Sequence, residues 1–300
     1  SGTTWTQQQK IVPGTNDHAY FGESVALWED TVAIGGPYYD YGGSTDTGGC
    51  QVWKRDSNNV WAMEADVTTM ASGLSASSSF GQDCSLYEDT LAVGGHSHNS
   101  HLGAVWVFTR SGTTWTEQQK ITSGMSGNNK YFGAQCKVWD NTLVVKMTGD
   151  DTGGTDAGSV WIYSRSGTTW SHNQTLRISG SLYLSHILNF KNNLIVARDF
   201  TGTITTNVWE KIDGVWTLIK RIADENTSGS NQWGTSFAMD DNTIVIGEYD
   251  QDRIHVYNKS TTAELKFDNY NKLSIGNAPT STSSKLFLGS NVYDIGTLTS

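Results

Sequence analysis

The chain is poor in three things that would point to other kinds of protein. It has only 3 Pro and 3 Cys among its 300 residues, and only 17 % of them are charged. Cys50, Cys84 and Cys136 form no CxxC pair, so neither a zinc ribbon nor a dense disulfide framework is encoded. No apolar run approaches the roughly 20 residues that cross a bilayer as a helix, so no membrane insertion is expected. Basic residues are outnumbered, giving a net charge of −10, and no basic face is available to track phosphates; a nucleic-acid partner is not expected. The chain starts at Ser-Gly, with neither a Met nor a signal-type apolar core.

What is abundant is Gly (32 residues), Ser, Thr and Trp (12, against 9 Phe). This is the composition of many short strands joined by turns, in a secreted or surface setting.

Those strands repeat. YFGESVALWEDTVAIGGP (20–37) returns as SFGQDCSLYEDTLAVGGH (79–96), YFGAQCKVWDNTLVVKMT (131–148) and WGTSFAMDDNTIVIGEYD (233–250). Worn copies lie at 184–199 and 271–290. Aligned on Thr31, Thr90, Thr142, Leu194, Thr243 and Lys285, the units are 59, 52, 52, 49 and 42 residues apart, the length of a four-stranded propeller blade with its loops. Each unit divides into strand a (FGxSVA), strand b (DTVAIGG), strand c (as in AVWVFTR) and strand d (as in TTWTEQQKI). Pairs such as Glu29-Asp30, Glu88-Asp89 and Asp140-Asn141 form the a–b hairpin turn.

The opening SGTTWTQQQKI (1–11) returns as SGTTWTEQQKI (111–121), where it is a strand d. The sixth unit runs out of chain after strand c. The sequence therefore predicts an all-β, single-domain β-propeller over 1–300 with six four-stranded blades, seven being the alternative. The repeats fall near 19–67, 79–122, 131–178, 183–222, 232–268, and 270–299 plus 3–11, and the N-terminal strand closes the ring by pairing into the last blade.

The Phe-Gly starts (Phe21-Gly22, Phe80-Gly81, Phe132-Gly133), the acidic turn, the VAIGG or LAVGG strand and the following hairpin resemble the FG-GAP repeat family, the repeat of the integrin α-chain head. The resemblance implies extracellular recognition or adhesion, with calcium often held in a DxDxDG-type loop. No such loop occurs here, so calcium is a candidate cofactor only through other carboxylates.

In a propeller the b–c and d–a loops share one face. On it, Tyr38, Tyr39, Tyr41, His96, His98 and Tyr249 are candidate ligand-binding residues, against packing of the tyrosines on a neighbouring blade. Candidate metal ligands are Asp40 and Asp46 in one Gly-rich loop, Asp150, Asp151 and Asp156 in another, and His96, His98 and His101 in HSHNSH; turn formation and solvated loop histidines are the plainer readings. Asn173, Asn226 and Asn258 lie in Asn-x-Ser/Thr sequons, acceptors for glycan in a secretory pathway. Cys84 and Cys136 occupy matching apolar positions, and a Cys50–Cys84 bridge is the alternative in an oxidising compartment. The Trp residues of strands c and d read as blade packing, with repeated sugar subsites the alternative.

No GxSxG, HExxH, Walker or GxGxxG signature is present. The expectation is a non-catalytic extracellular or surface module, not an enzyme, that binds a protein or glycan at the cell surface or matrix. A lectin is the alternative, and a polysaccharide hydrolase or lyase using loop Asp and His residues comes third.

Overall fold

The computed structural model describes residues 4–13, 20–178, 188–200, 204–223, 233–248, 252–259 and four short strands beyond, at 265–267, 273–275, 285–288 and 291–294. It is all-β. Strands β1 (Ser24–Trp28), β2 (Thr31–Gly36), β3 (Gly49–Arg55) and β4 (Trp61–Asp66) make one antiparallel sheet in chain order. The second sheet holds β5 (Asp83–Tyr87), β6 (Thr90–Gly95), β7 (Ala104–Ser111) and β8 (Thr114–Ile121). The third holds β9 (Phe132–Trp139), β10 (Thr142–Met147), β11 (Ser159–Ser166) and β12 (Thr169–Leu176). The fourth holds β13 (Leu188–Lys191), β14 (Leu194–Phe200), β15 (Ile204–Ile212) and β16 (Val215–Ala223). A fifth has three strands, β17 (Trp233–Met239), β18 (Thr243–Glu248) and β19 (Arg253–Asn258). These are the propeller-like blades expected from the repeat.

Residues 258–300 form a separate compact unit. In it β20 (Leu265–Phe267) pairs with β21 (Leu273–Ile275), and β22 (Lys285–Leu288) with β23 (Asn291–Asp294). The segment expected as strand d of the fifth repeat is thus found as β20, hydrogen-bonded to the strand that follows it.

Local chemistry explains the repeat. Glu29, Glu88, Asp140 and Asn192 open the a–b turns at φ of 50–53°, a left-handed conformation that short polar side chains tolerate better than branched ones. The strand c arginine then clips that turn: Arg110 Nε donates to Asp89 at 2.7 Å, Arg165 Nε to Asn141 at 2.9 Å, and Arg55 pairs with Asp30. Each guanidinium also lies over the strand d tryptophan of its own blade, with Arg110 5.3 Å from the Trp115 ring centre.

The Phe-Gly pair is the interblade joint. Phe80 and Phe132 are fully buried, and each bridges in parallel to a glycine of the preceding blade, Gly48 and Gly103. At Gly81 φ is +90°, and a Cβ there would sit 2.1 Å from the Gly49 carbonyl oxygen, so glycine is required on both counts. Apolar cores lie between consecutive blades. One joins Cys50, Val52 and Val67 to Phe80, Cys84 and Leu86, and the next joins Val105 and Val107 to Phe132 and Cys136. Of the strand c and d tryptophans, Trp106, Trp115, Trp170, Trp209 and Trp216 are buried in the cores between blades, whereas Trp53, Trp61 and Trp161 are half-buried and Trp5 is exposed.

Strand a is an edge of each sheet, and its unpaired N–H groups are capped across the joint. Cys136 N donates to Asp83 Oδ2 at 2.8 Å, Val138 N to Ser85 Oγ at 2.9 Å, and Leu188 N to Gln135 Oε1 at 3.0 Å. Polar residues inside strand a are therefore edge caps for the next blade.

Candidate functional site

The loop aspartates serve their own backbone. Asp40 Oδ1 accepts from Asp46 N at 2.8 Å, and Asp151 Oδ1 accepts from Asp156 N at 2.9 Å while its other oxygen pairs with Lys130. Asp46 and Asp156 sit at left-handed turn positions. Asp150 is fully buried, accepting from Thr152 N at 2.9 Å and from Arg177 at 2.7 and 3.0 Å. Burial alone would raise its pKa, but hydrogen bonds from Ser159, Thr152 and Arg177 outweigh it and bring it down to about 2. Among the described residues no three His, Cys, Asp or Glu side chains converge as a metal site. Asp40, Asp150 and Asp151 thus each accept from the backbone of their own candidate calcium loop.

The three histidines separate. His98 is buried, with Nδ1 3.0 Å from Ser78 Oγ and Nε2 2.8 Å from Lys120 Nζ. A lysine at Nε2 requires the neutral ring, and burial with that cation beside it lowers its pKa to about 4. His98 is committed to the blade joint, edge-on to Trp106 at 5.2 Å. His96 and His101 instead flank Tyr131, with ring centres 5.9 and 5.3 Å from it.

Of the tyrosines, Tyr38 is exposed and stacks edge-on with Tyr20 at 4.9 Å, whereas Tyr39 and Tyr41 are half-buried neighbours, Tyr39 packing on the backbone of Gly49. Tyr249 and Asn226 lie outside the described residues. Asn173 is exposed on β12 and donates to Ser164 Oγ at 3.0 Å; Asn258 is exposed at the end of β19. Cys50 and Cys84 are buried free thiols whose sulfurs stand 3.5 Å apart.

The chemically unusual residues are ones that motif reading passed over. At the fourth residue after the repeat Thr, blades one, two and five have Gly35, Gly94 and Gly247; blade three has Lys146 and blade four Arg198. Each of these two cations is only 8 % exposed. Burial lowers the Lys146 pKa to about 8, against an opposing pull from Asp83, and burial lowers that of Arg198 as well. Asp83 is itself held at 2.7 and 2.9 Å by Lys137.

His96 lies within electrostatic range of Lys146. Burial first, then His101 and Lys146, brings its pKa to about 4, so it is neutral at pH 7. Its Nδ1 is buried with no protein partner, one of three such side-chain atoms among the described residues. The neighbouring backbone is strained: Asn99, Ser100, His101, Asn129 and Tyr131 all have φ between +52 and +65°, a pattern that concentrates at working loops. Blades two to four thus carry a neutral imidazole, His96, and two buried cations, Lys146 and Arg198. The signal in the sequence was the replacement of VAIGG by VVKMT and IVARD, visible only as a departure from the repeat.

Comparison with known proteins adds the following. The FG-GAP repeat model matches residues 5–53. No curated protein matches the chain. Among solved structures it is similar to a proposed 6-phosphogluconolactonase of Bacteroides fragilis NCTC 9343, at 9 % identity over 92 % of this chain and 85 % of that one, with a TM-score of 0.42. It is similar also to a periplasmic gluconolactonase of Pseudomonas aeruginosa, at 11 % identity over 96 % and 88 %, with a TM-score of 0.42. A third is a proposed 6-phosphogluconolactonase of Bacteroides uniformis ATCC 8492, at 7 % identity over 85 % and 84 %, with a TM-score of 0.45.

These neighbours overturn the expectation of a non-catalytic recognition or adhesion module, and with it the expectation that the protein is no enzyme, since each bears the name of a lactonase. What those proteins act on is not carried over by likenesses of this size, and the repeat match brings no adhesive, lectin or integrin-like character with it. The resemblance seen in the Phe-Gly starts holds: the chain carries an FG-GAP repeat at residues 5–53, consistent with the FG-GAP repeat β-propeller family.

Proposed function

We propose that this propeller binds a small anionic substrate at Lys146, Arg198 and His96 and hydrolyses it at a carbonyl carbon. The carrying observation is that two cations replace interblade glycines at equivalent positions of adjacent blades and remain buried. An anion bound beside these positions would meet cationic head groups in a low-dielectric setting, where attraction between opposite charges is stronger than in water. Neutral His96 takes a proton from water as the hydroxide adds to the carbonyl. Lys146, an ammonium below about pH 8, neutralises the oxyanion. Collapse expels the alkoxide, which recovers the proton from His96.

The test is hydrolysis of a panel of lactones and esters with and without a phosphate or carboxylate group. Preference for the anionic members, lost in His96→Ala and Lys146→Gly, supports the reading. Equal turnover of neutral and anionic members, or none of either, sinks it.

We also propose a ring of six blades closed by the N-terminal segment. Gln8 and Gln9 hold Trp61 as Gln118 and Gln119 hold Trp170, so residues 4–11 behave toward the first blade as a strand d does toward the blade after it. Val25 and Leu27, each 66 % exposed, are the repeat equivalents of Cys84 and Leu86, which a preceding blade covers to 3 and 7 %. The sixth blade proposed from 270–299 plus 3–11 would complete the ring there. Disulfide crosslinking between cysteines placed in 4–11 and 291–294 tests it. A strand-register pattern of crosslinks supports closure, and an absence of any crosslink in folded protein opposes it.

A further inference from the structure

The pair Cys50 and Cys84 is independent of that site. Cys50 belongs to β3 of the first blade and Cys84 to β5 of the second, so a bond between them would staple two blades. Their sulfurs are 3.5 Å apart, and the residues are 1 and 3 % exposed. The backbones around them are already in contact: Gly35 and Gly49 of blade one both abut Gly81 of blade two, which limits the freedom of the two sulfurs to separate. Ser24 Oγ, held on the Gly81 carbonyl at 2.8 Å, lies 3.2 Å from Cys84 Sγ and fixes that thiol from the other side.

The same joint one blade on shows that this is a pair and not a general feature. Cys136 stands where Cys84 stands, but the strand c position facing it is Val105, so no second thiol is present. Cys136 is buried among Ala92, Val105 and Val107 and behaves there as a small apolar residue.

We infer that Cys50 and Cys84 are the site of an interblade disulfide, formed during folding by exchange with a small-molecule disulfide such as oxidised glutathione. One cysteine thiolate attacks glutathione disulfide, giving a mixed disulfide and one glutathione thiol. The second cysteine thiolate then displaces the remaining glutathione, so the two protons lost by the cysteines end on two glutathiones. Timing follows from burial: in the finished fold neither sulfur meets solvent, and the Cys84 hydrogen bond and burial hold the Cys50 thiol well above its ordinary pKa. Exchange therefore belongs to a stage before the first two blades dock.

The test is to unfold the full chain, refold it with oxidised glutathione, denature it again and count thiols with a maleimide. One reactive thiol, assigned by peptide mapping to Cys136, together with a 50–84 linked peptide, is the expected result. Reduction should then lower Tm by about 5 °C. Cys136→Ser should keep the linkage, and Cys50→Val should abolish it. Should Cys50→Val not fold, the map of the unsubstituted chain decides. Three reactive thiols in protein that has regained its native circular dichroism, or a linkage through Cys136, would overturn the inference.

Discussion

Gln9 grips the main chain of Trp61 with both ends of its amide, Nε2 donating to the carbonyl and Oε1 accepting from the N–H, each at 2.9 Å. Gln119 does the same to Trp170 at 3.1 and 2.7 Å, and Gln174 to Trp216 at 2.8 and 3.0 Å. A side chain that satisfies the outer edge of the next blade is a repeated device, and the first residues of the chain use it too. Gln9→Ala and Gln119→Ala should therefore each cost roughly 1 kcal/mol. Urea unfolding of both variants checks this; a neutral Gln9→Ala beside a costly Gln119→Ala would separate the N-terminal segment from the repeat.

Two glycines of positive φ should respond differently to the same change. Gly112, in the turn between β7 and β8, has φ +63° with nothing within 4 Å of an added Cβ, so Gly112→Ala pays only the conformational penalty of roughly 1–2 kcal/mol. Gly81→Ala adds a collision with the Gly49 carbonyl and should cost more than about 3 kcal/mol. Equal losses of Tm would mean that the blades are not held in backbone contact at this joint.

Acid stability should fall in two stages. His96 and His98 are brought from an ordinary 6.5 to about 4, so the fold favours their neutral forms. That contribution is complete above pH 6.5 and is lost as pH falls toward 4. Asp150, brought from 3.8 to about 2, contributes fully above about pH 4 and stops contributing below 2. Unfolding free energy measured from pH 7 to 2 should show both limbs. His98→Asn should reduce the first and Asp150→Asn the second; unchanged limbs would remove these residues from the account.

The scaffold was legible because turn chemistry and alternation are local. Glu29, Glu88 and Asp140 sit in the left-handed turns their spacing predicts, and Trp106, Trp115, Trp170, Trp209 and Trp216 pack the blades, while Trp5 is exposed. The loops were less legible for a physical reason. A carboxylate beside glycine has the same sequence signature whether it holds a cation or its own backbone, and Asp40, Asp150 and Asp151 do the second. HSHNSH likewise could not reveal that Ser78 and Lys120, both distant in sequence, draw His98 inward. Lys146 and Arg198 were visible only as irregularities in a repeat, and their burial depends on blades that the motif does not describe.

The anion site is tested most directly by calorimetric titration of inorganic phosphate into the intact chain at pH 7, beside Lys146→Gly and Arg198→Gly, which restore the residue of the other blades. The account predicts binding by the unsubstituted protein, weakened about tenfold or more in each folded variant. Phosphate binding that is absent, or present and unaltered in both variants, would contradict it.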